Sequence, residues 1–323
     1  MSNFKFKMAS SVLPCDGTSM KLAIVTGANQ GFGYGLTNLL LAKGYEVVMA
    51  CRNVEAASTA ASELLKQRTS KGKAVPLKLD LADLNSVVSF VAEFEVKYAN
   101  RPLTYLVLNA GAVKLSKELT KQDFEYTYGT NHIGGAALFN LLLQKTLLPS
   151  KTRVVAVGSL VHTNADIKVG SDVSGKIEEF STVKFYSNSK FFNTGWADQI
   201  QKRYSAKGVT ANSCHPGSGL FTNLGRGDAS TAMRVTVSCL VTVLYPLLWV
   251  VGFAQSWHDG GVAELAACEA SEGGIYFYRH YPSTPSEAAQ NEGIQLWVWN
   301  ETKRLLAEAA KSFNLPPEIA GDE

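Results

Sequence analysis

The chain has 323 residues, 46% of them hydrophobic, and a formal net charge of +3. That is ample material for a large core, and the near-balanced charge leaves no footprint of nucleic-acid binding. Five cysteines and five histidines are scattered without C-x-x-C or metal-ligand spacing, which excludes a zinc-type site and fits a reducing, cytoplasmic compartment.

Residues 1–20 are polar and mixed, lack the apolar run of a signal peptide, and read as an N-terminal extension. From residue 21 to 323, strand-like and helix-like stretches alternate. Leu22–Val25 reads as a buried strand, Thr26–Gly33 as a glycine turn, and Tyr34–Lys43 as a helix. Further strands are expected at Tyr45–Ala50, Ala74–Leu79, Leu103–Leu108, Arg153–Val157, Val209–Cys214 and Gly274–Tyr278. Helices are expected at Val54–Gln67, from an Asp83 cap to about Tyr98, and at Thr120–Leu148, Lys184–Tyr204, Glu264–Ala270 and Ser286–Phe313. The alternation predicts an α/β fold: a doubly wound parallel sheet, covered on both faces, in one domain with a C-terminal elaboration.

Such sheets bind ligands at the carboxyl ends of their strands, and the unusual residues fall there. The first strand runs into Gly27, Asn29, Gln30, Gly31, Phe32 and Gly33. Glycines let the backbone turn sharply and bring N–H groups to a phosphate at the start of a helix. The second strand ends at Cys51-Arg52-Asn53, with no acid to accept from a ribose 2′-hydroxyl. The planar guanidinium of Arg52 is suited instead to a 2′-phosphate, which favours NADP(H) over NAD(H). Asp80-Leu81 ends the third strand, where the carboxylate is placed either to accept from an adenine amino group or to close a turn. Asn109-Ala110-Gly111, Ser159 and Pro216-Gly217 end the next three.

Tyr186 and Lys190 stand four residues apart, on one face of the expected helix. A free phenol, with a pKa near ~10, is a poor acid or base at neutral pH. A cation beside it favours the phenolate, so such a pair makes a general acid/base.

The glycine turn, Asp80-Leu81, Asn109-Ala110-Gly111, Asn131, Ser159, Tyr186-x-x-x-Lys190 and Pro216-Gly217 together resemble the short-chain dehydrogenase/reductase family over about residues 20 to 313. Ala50-Cys51-Arg52-Asn53, Thr130-Asn131-His132-Ile133-Gly134, Tyr186-Ser187-Asn188-Ser189-Lys190, His215-Pro216-Gly217 and Gly273-Gly274-Ile275-Tyr276-Phe277 are similar to the retinol dehydrogenase, WW-domain oxidoreductase and protochlorophyllide reductase branch; no WW domain is present. The resemblance implies a Rossmann-type three-layer α/β/α domain and a hydride exchanged between nicotinamide and the carbon of an alcohol or carbonyl. It implies Tyr186 as proton donor or acceptor. Lys190 would hold the nicotinamide ribose and lower the Tyr186 pKa. Ser159 would bind the substrate oxygen, and Asn131 would open a helix kink and hold a water. Thr222 would contact the carboxamide, although four residues separate it from Gly217, where retinol dehydrogenases usually have three. Relatives often dimerise through the helices carrying Asn131 and Tyr186.

The segment from about 219 to 261 is expected to cover the substrate. It contains Val235–Ala254, twenty residues without charge. Pro246, many β-branched residues and the core strand still to come speak against a membrane span. Three readings stay open: an apolar lid over the pocket, a patch that touches a membrane surface, and a plain core helix. The first two imply a lipophilic substrate of retinoid, isoprenoid, steroid or polyketide type. The alternatives to alcohol/carbonyl chemistry are reduction of a carbon–carbon double bond and a nucleotide-binding scaffold without catalysis.

Overall fold

The computed structural model describes residues 20–321 except 100, 150, 172, 174–179 and 219–255. Eight strands form one sheet in the order β3-β2-β1-β4-β5-β6-β7-β8. They are β1 (Leu22–Thr26), β2 (Glu46–Cys51), β3 (Lys73–Lys78), β4 (Leu103–Leu108), β5 (Arg153–Val157), β6 (Thr210–His215), β7 (Tyr276–Tyr278) and β8 (Tyr281–Ser283). All neighbours pair in parallel except β7 and β8. Every residue of β1, β2 and β5 is buried, as helices on both faces require.

One face is covered by α1 (Gly31–Ala42), α2 (Val54–Leu65) and α7 (Trp257–Glu269). The other is covered by α3 (Leu84–Tyr98), α5 (Gly134–Gln144), α6 (Thr182–Tyr204) and the closing helix α9 (Glu292–Phe313). The three-layer α/β/α expectation therefore holds. Strand order reverses between β1 and β4, so the crevice opens at the carboxyl ends of those two strands.

The chain departs from the expected elements at four places. No single helix fills Thr120–Leu148. Residues 120–125 form a turn, with Asp123 at φ 60°, because the Glu125 carboxylate caps a fresh start by accepting from Tyr128 N at 2.7 Å. A short α4 (Tyr126–Tyr128) follows, then a π-helical segment, Gly129–Ile133, then α5. The helix expected from Glu264 begins seven residues earlier, at Trp257, where Ser256 and Asp259 form a capping box. Residues 257–261 thus belong to a helix packed on α1. The expected Ser286–Phe313 helix splits into α8 (Glu287–Gln290) and α9, because the Asn291 side chain accepts from Ile294 N and caps a new start. Lastly, β8 adds an antiparallel edge strand; its Pro282 suits an edge, where a missing N–H leaves no ladder partner unmet.

The outer faces of α5 and α6 are packed by α9 and by the 3₁₀ turn Pro317–Ala320, with Asn140 Nδ2 donating to the Ile319 carbonyl at 3.0 Å. Among the described residues, no helix is long and apolar enough to cross a membrane. The 235–254 stretch and Thr222 lie outside the described residues.

Candidate functional site

A cleft of about 770 Å³ runs along the carboxyl ends of the strands. Gly27, Asn29, Gln30, Gly31 and Phe32 line its middle, with Asn109, Ala110 and Gly111 opposite. Arg52, Asn53, Asp80 and Leu81 line one end, and Ser159, Tyr186, Lys190, Pro216 and Gly217 the other.

The glycine turn is tied to β4 side chain by backbone. Asn109 Nδ2 donates to the Thr26 carbonyl at 2.6 Å, and Ala110 N donates to Thr26 Oγ1 at 2.9 Å. Gly27 sits at φ +66°, the left-handed region that glycine enters without strain. A Cβ on Gly33 would stand 2.4 Å from Asn109 Nδ2 and 2.8 Å from the Gly27 carbonyl oxygen. Gly33 is thus a packing requirement beneath the turn; the turn's own residues face the cleft. Gln30 starts α1 without a side-chain cap on the first turn, so that turn presents backbone N–H groups of the kind that bind a pyrophosphate. The cradle fits a dinucleotide.

At the end lined by Arg52, the guanidinium is exposed and its Nη1 donates to the Tyr126 hydroxyl at 2.7 Å. Lys78 Nζ donates to the Arg52 carbonyl at 2.5 Å, and Lys114 Nζ lies 5.0 Å from the Tyr126 ring centre. Arg52 is the cation that lines this end of the cleft, and the Asp80 carboxylate lines it too. Asn53 caps α2 by accepting from Ala56 N at 2.8 Å. Asp80 Oδ1 accepts from Ala82 N at 3.0 Å, so the carboxylate closes its own turn and keeps one oxygen outside that bond.

At the other end, Tyr186 and Lys190 share a face of α6, with Lys190 Nζ 5.9 Å from the Tyr186 ring centre. Lys190 Nζ donates to the Val157 carbonyl at 2.9 Å. Burial pushes Lys190 down to about 8, against the charges of Cys214 and Glu264. Burial also raises the Tyr186 phenol, partly offset by a hydrogen bond with Ser159. Burial pushes both groups toward their neutral forms. Burial is the larger cause at Tyr186, and the cation expected to lower its pKa stands 5.9 Å from the ring centre.

Asn131 lies in the π segment, behind the cleft wall. Its Oδ1 accepts from Ala112 N at 2.6 Å, and its Nδ2 donates to the Ala112 carbonyl at 3.0 Å and to Ser189 Oγ at 3.1 Å. It thus fastens the loop after Gly111 to α6. The extra residue of a π turn frees a side chain and a carbonyl from the regular ladder.

Two residues here escaped the sequence reading. Tyr126 carries no motif, and only the fold brings it to Arg52. His162 is buried, with Nδ1 2.7 Å from the Ser159 carbonyl and Nε2 accepting from Ser286 N at 3.0 Å. The second bond makes Nδ1 the protonated nitrogen. The spacing Ser159-x-x-His162 was a signal available in the sequence. Among the described residues, no cluster of side chains could hold a metal ion.

The family model described as short chain dehydrogenase matches residues 21–231. The chain is 32% identical to a WW domain-containing oxidoreductase of Pongo abelii over 303 residues, covering 89% of this chain and 68% of the relative. It is 29% identical to retinol dehydrogenase 13 of Homo sapiens over 299 residues, covering 92% and 88% respectively. A solved structure of an uncharacterised protein from Mycobacterium paratuberculosis is similar with a TM-score of 0.66 at 26% identity, covering 89% of this chain and 93% of that one. The chain belongs to the short-chain dehydrogenase/reductase family of oxidoreductases, in the branch that contains the retinol dehydrogenases.

Proposed function

We propose that this oxidoreductase uses NADP(H) to interconvert an alcohol and a carbonyl on a lipophilic substrate, with Tyr186 as general acid/base. The observation that carries the reading is the meeting of Ser159, Tyr186 and Lys190 at one end of a cleft whose middle is a dinucleotide cradle. When bound, the nicotinamide supplies or takes the hydride. The protein supplies position and the proton. Ser159, hydrogen-bonded with Tyr186, orients the substrate oxygen. Tyr186 donates its phenol proton to that oxygen in the reducing direction, and its phenolate takes the proton from the substrate hydroxyl in the oxidising one. Lys190, buried and tied to β5, offers its remaining N–H groups to ribose hydroxyls and its charge to the phenolate that forms.

Preference for NADP(H) is supported by the exposed Arg52 in the cleft lining and by the lack of an acid at the end of β2. A lipophilic substrate is supported by likeness to a protein named a retinol dehydrogenase and by the uncharged 235–254 stretch that follows the cleft residues in sequence. A contact of Thr222 with the carboxamide is proposed from its sequence position after Pro216-Gly217 alone. The test is turnover of a panel of hydrophobic and hydrophilic aldehydes and ketones with NADPH and NADH side by side. The reading expects NADPH oxidation with the hydrophobic members. Turnover confined to small hydrophilic carbonyls, or a clear preference for NADH, would contradict it.

A further inference from the structure

A continuous buried polar chain runs from the closing helix to Lys190. Thr302 Oγ1 on α9 is 2.8 Å from His132 Nε2, and His132 Nδ1 is 3.1 Å from Asn193 Oδ1 on α6. Asn193 Nδ2 donates to the Asn131 carbonyl at 3.1 Å and to the Val157 carbonyl at 3.2 Å. The same Val157 oxygen accepts from Lys190 Nζ. Asn131, His132, Asn193, Thr302 and Lys190 are all at most 5% exposed.

Proton counting fixes the direction of these bonds. The two amide hydrogens of Asn193 serve two carbonyls, so its Oδ1 is an acceptor and His132 Nδ1 must carry a proton. Turning the amide over would set Oδ1 against two carbonyl oxygens. Burial pushes His132 down to about 4, against the Asn193 bond. The ring is therefore neutral and its Nε2 is an acceptor facing the Thr302 hydroxyl, whose one proton is shared between that nitrogen and the Val298 carbonyl at 2.7 Å. Ring contacts with Phe192 and Trp196 hold the imidazole in its plane.

We infer that Asn193 and His132 are positioning residues for the acid/base pair: they hold the Val157 carbonyl and the π segment, and through them set the place of Lys190 beside Tyr186. The inference rests on the proposed roles of Tyr186 and Lys190. Val157 O has two acceptor directions, one for Lys190 and one for Asn193. If Asn193 is removed, or loses the His132 proton that orients its amide, the carbonyl and the ammonium bound to it are free to shift. Lys190 also feels Cys214 and Glu264, and neither belongs to this chain of bonds.

The experiment is single-turnover hydride transfer from saturating NADPH to decanal, measured across pH, in parallel with NADPH affinity. Lys190→Met is the reference and is expected to lower the rate constant at pH 7 by about a hundredfold. Asn193→Ala and His132→Leu are expected to lower it by about tenfold and to move the midpoint of its pH profile, with NADPH affinity unchanged. His132→Asn, which keeps a donor near the Nδ1 position, is expected to restore the wild-type rate and profile. Thr302→Val lowers the melting temperature but leaves both in place, since the Nδ1–H bond survives. Should Asn193→Ala not fold, the His132→Leu and His132→Asn pair decides. Wild-type rates and profiles in Asn193→Ala and His132→Leu, beside a lowered rate in Lys190→Met, overturn this inference alone. A wild-type rate in Lys190→Met overturns the Lys190 reading, and the inference with it.

Discussion

Arg52 Nη1 and the Tyr126 hydroxyl meet at 2.7 Å across one end of the cleft, joining the end of β2 to the start of α4. The guanidinium has further N–H groups outside this bond, and its exposed position leaves them open to a phosphate. Arg52→Ala is expected to weaken NADPH binding by about ten- to a hundredfold, while NADH binding changes by less than about threefold. Fluorescence titration with the two cofactors checks it. Equal losses for both would remove Arg52 from 2′-phosphate recognition.

The glycine beneath the turn gives a second prediction. A Cβ at Gly33 meets the amide that holds Thr26 and the carbonyl of Gly27. Gly33→Ala should weaken either cofactor by more than about tenfold, because both share the pyrophosphate site. Isothermal titration of NADPH and NADH would show equal factors.

Glu264 gives a third. It is fully buried on α7, and neither carboxyl oxygen has a hydrogen-bond partner among the described residues. Burial raises it from 4.5 to about 8, with Lys190 opposing. Between pH 4.5 and about 8 the unfolded chain has released this proton while the folded chain retains it. Stability from this group is therefore complete below pH 4.5 and falls as pH rises to about 8. Lys190, lowered from 10.5 to about 8, acts in the next window: stability rises between pH 8 and 10.5, where only the unfolded chain still holds that proton. Glu264→Gln is expected to lose the fall of the lower window, a difference of more than about 2 kcal/mol between pH 4 and pH 8. Urea denaturation of both proteins at the two pH values measures it. Parallel curves would mean that Glu264 is hydrated or paired.

How much of this was legible in the sequence depended on the range of the interactions. The strands from β1 to β6 were visible because buried parallel strands are near-continuous apolar runs, such as Leu22–Val25 and Leu103–Leu108. The glycine turn and the Tyr186/Lys190 pair were visible because each is local, held within one turn or one helix face. The break at Thr120–Glu125 was hidden, since Glu125 reads as a good helix former until its carboxylate is seen capping Tyr128. The three-residue β8 carries Pro282 and no alternation, so it has no strand pattern to read. Tyr126, Asn193 and Thr302 act through partners 74, 36 and 170 residues away, and no spacing rule reaches that far. The raised Tyr186 pKa was hidden for a similar reason: the sequence shows the neighbouring lysine, and only the fold shows the burial that raises the phenol.

The central claim is that Tyr186 passes the proton while the nearby cradle holds the cofactor. The direct measurement pairs NADPH binding with single-turnover hydride transfer to a hydrophobic aldehyde, in the wild type and in Tyr186→Phe. The account predicts unchanged NADPH affinity and a transfer rate lower by about a hundredfold or more. A Tyr186→Phe protein that transfers hydride at the wild-type rate would contradict it.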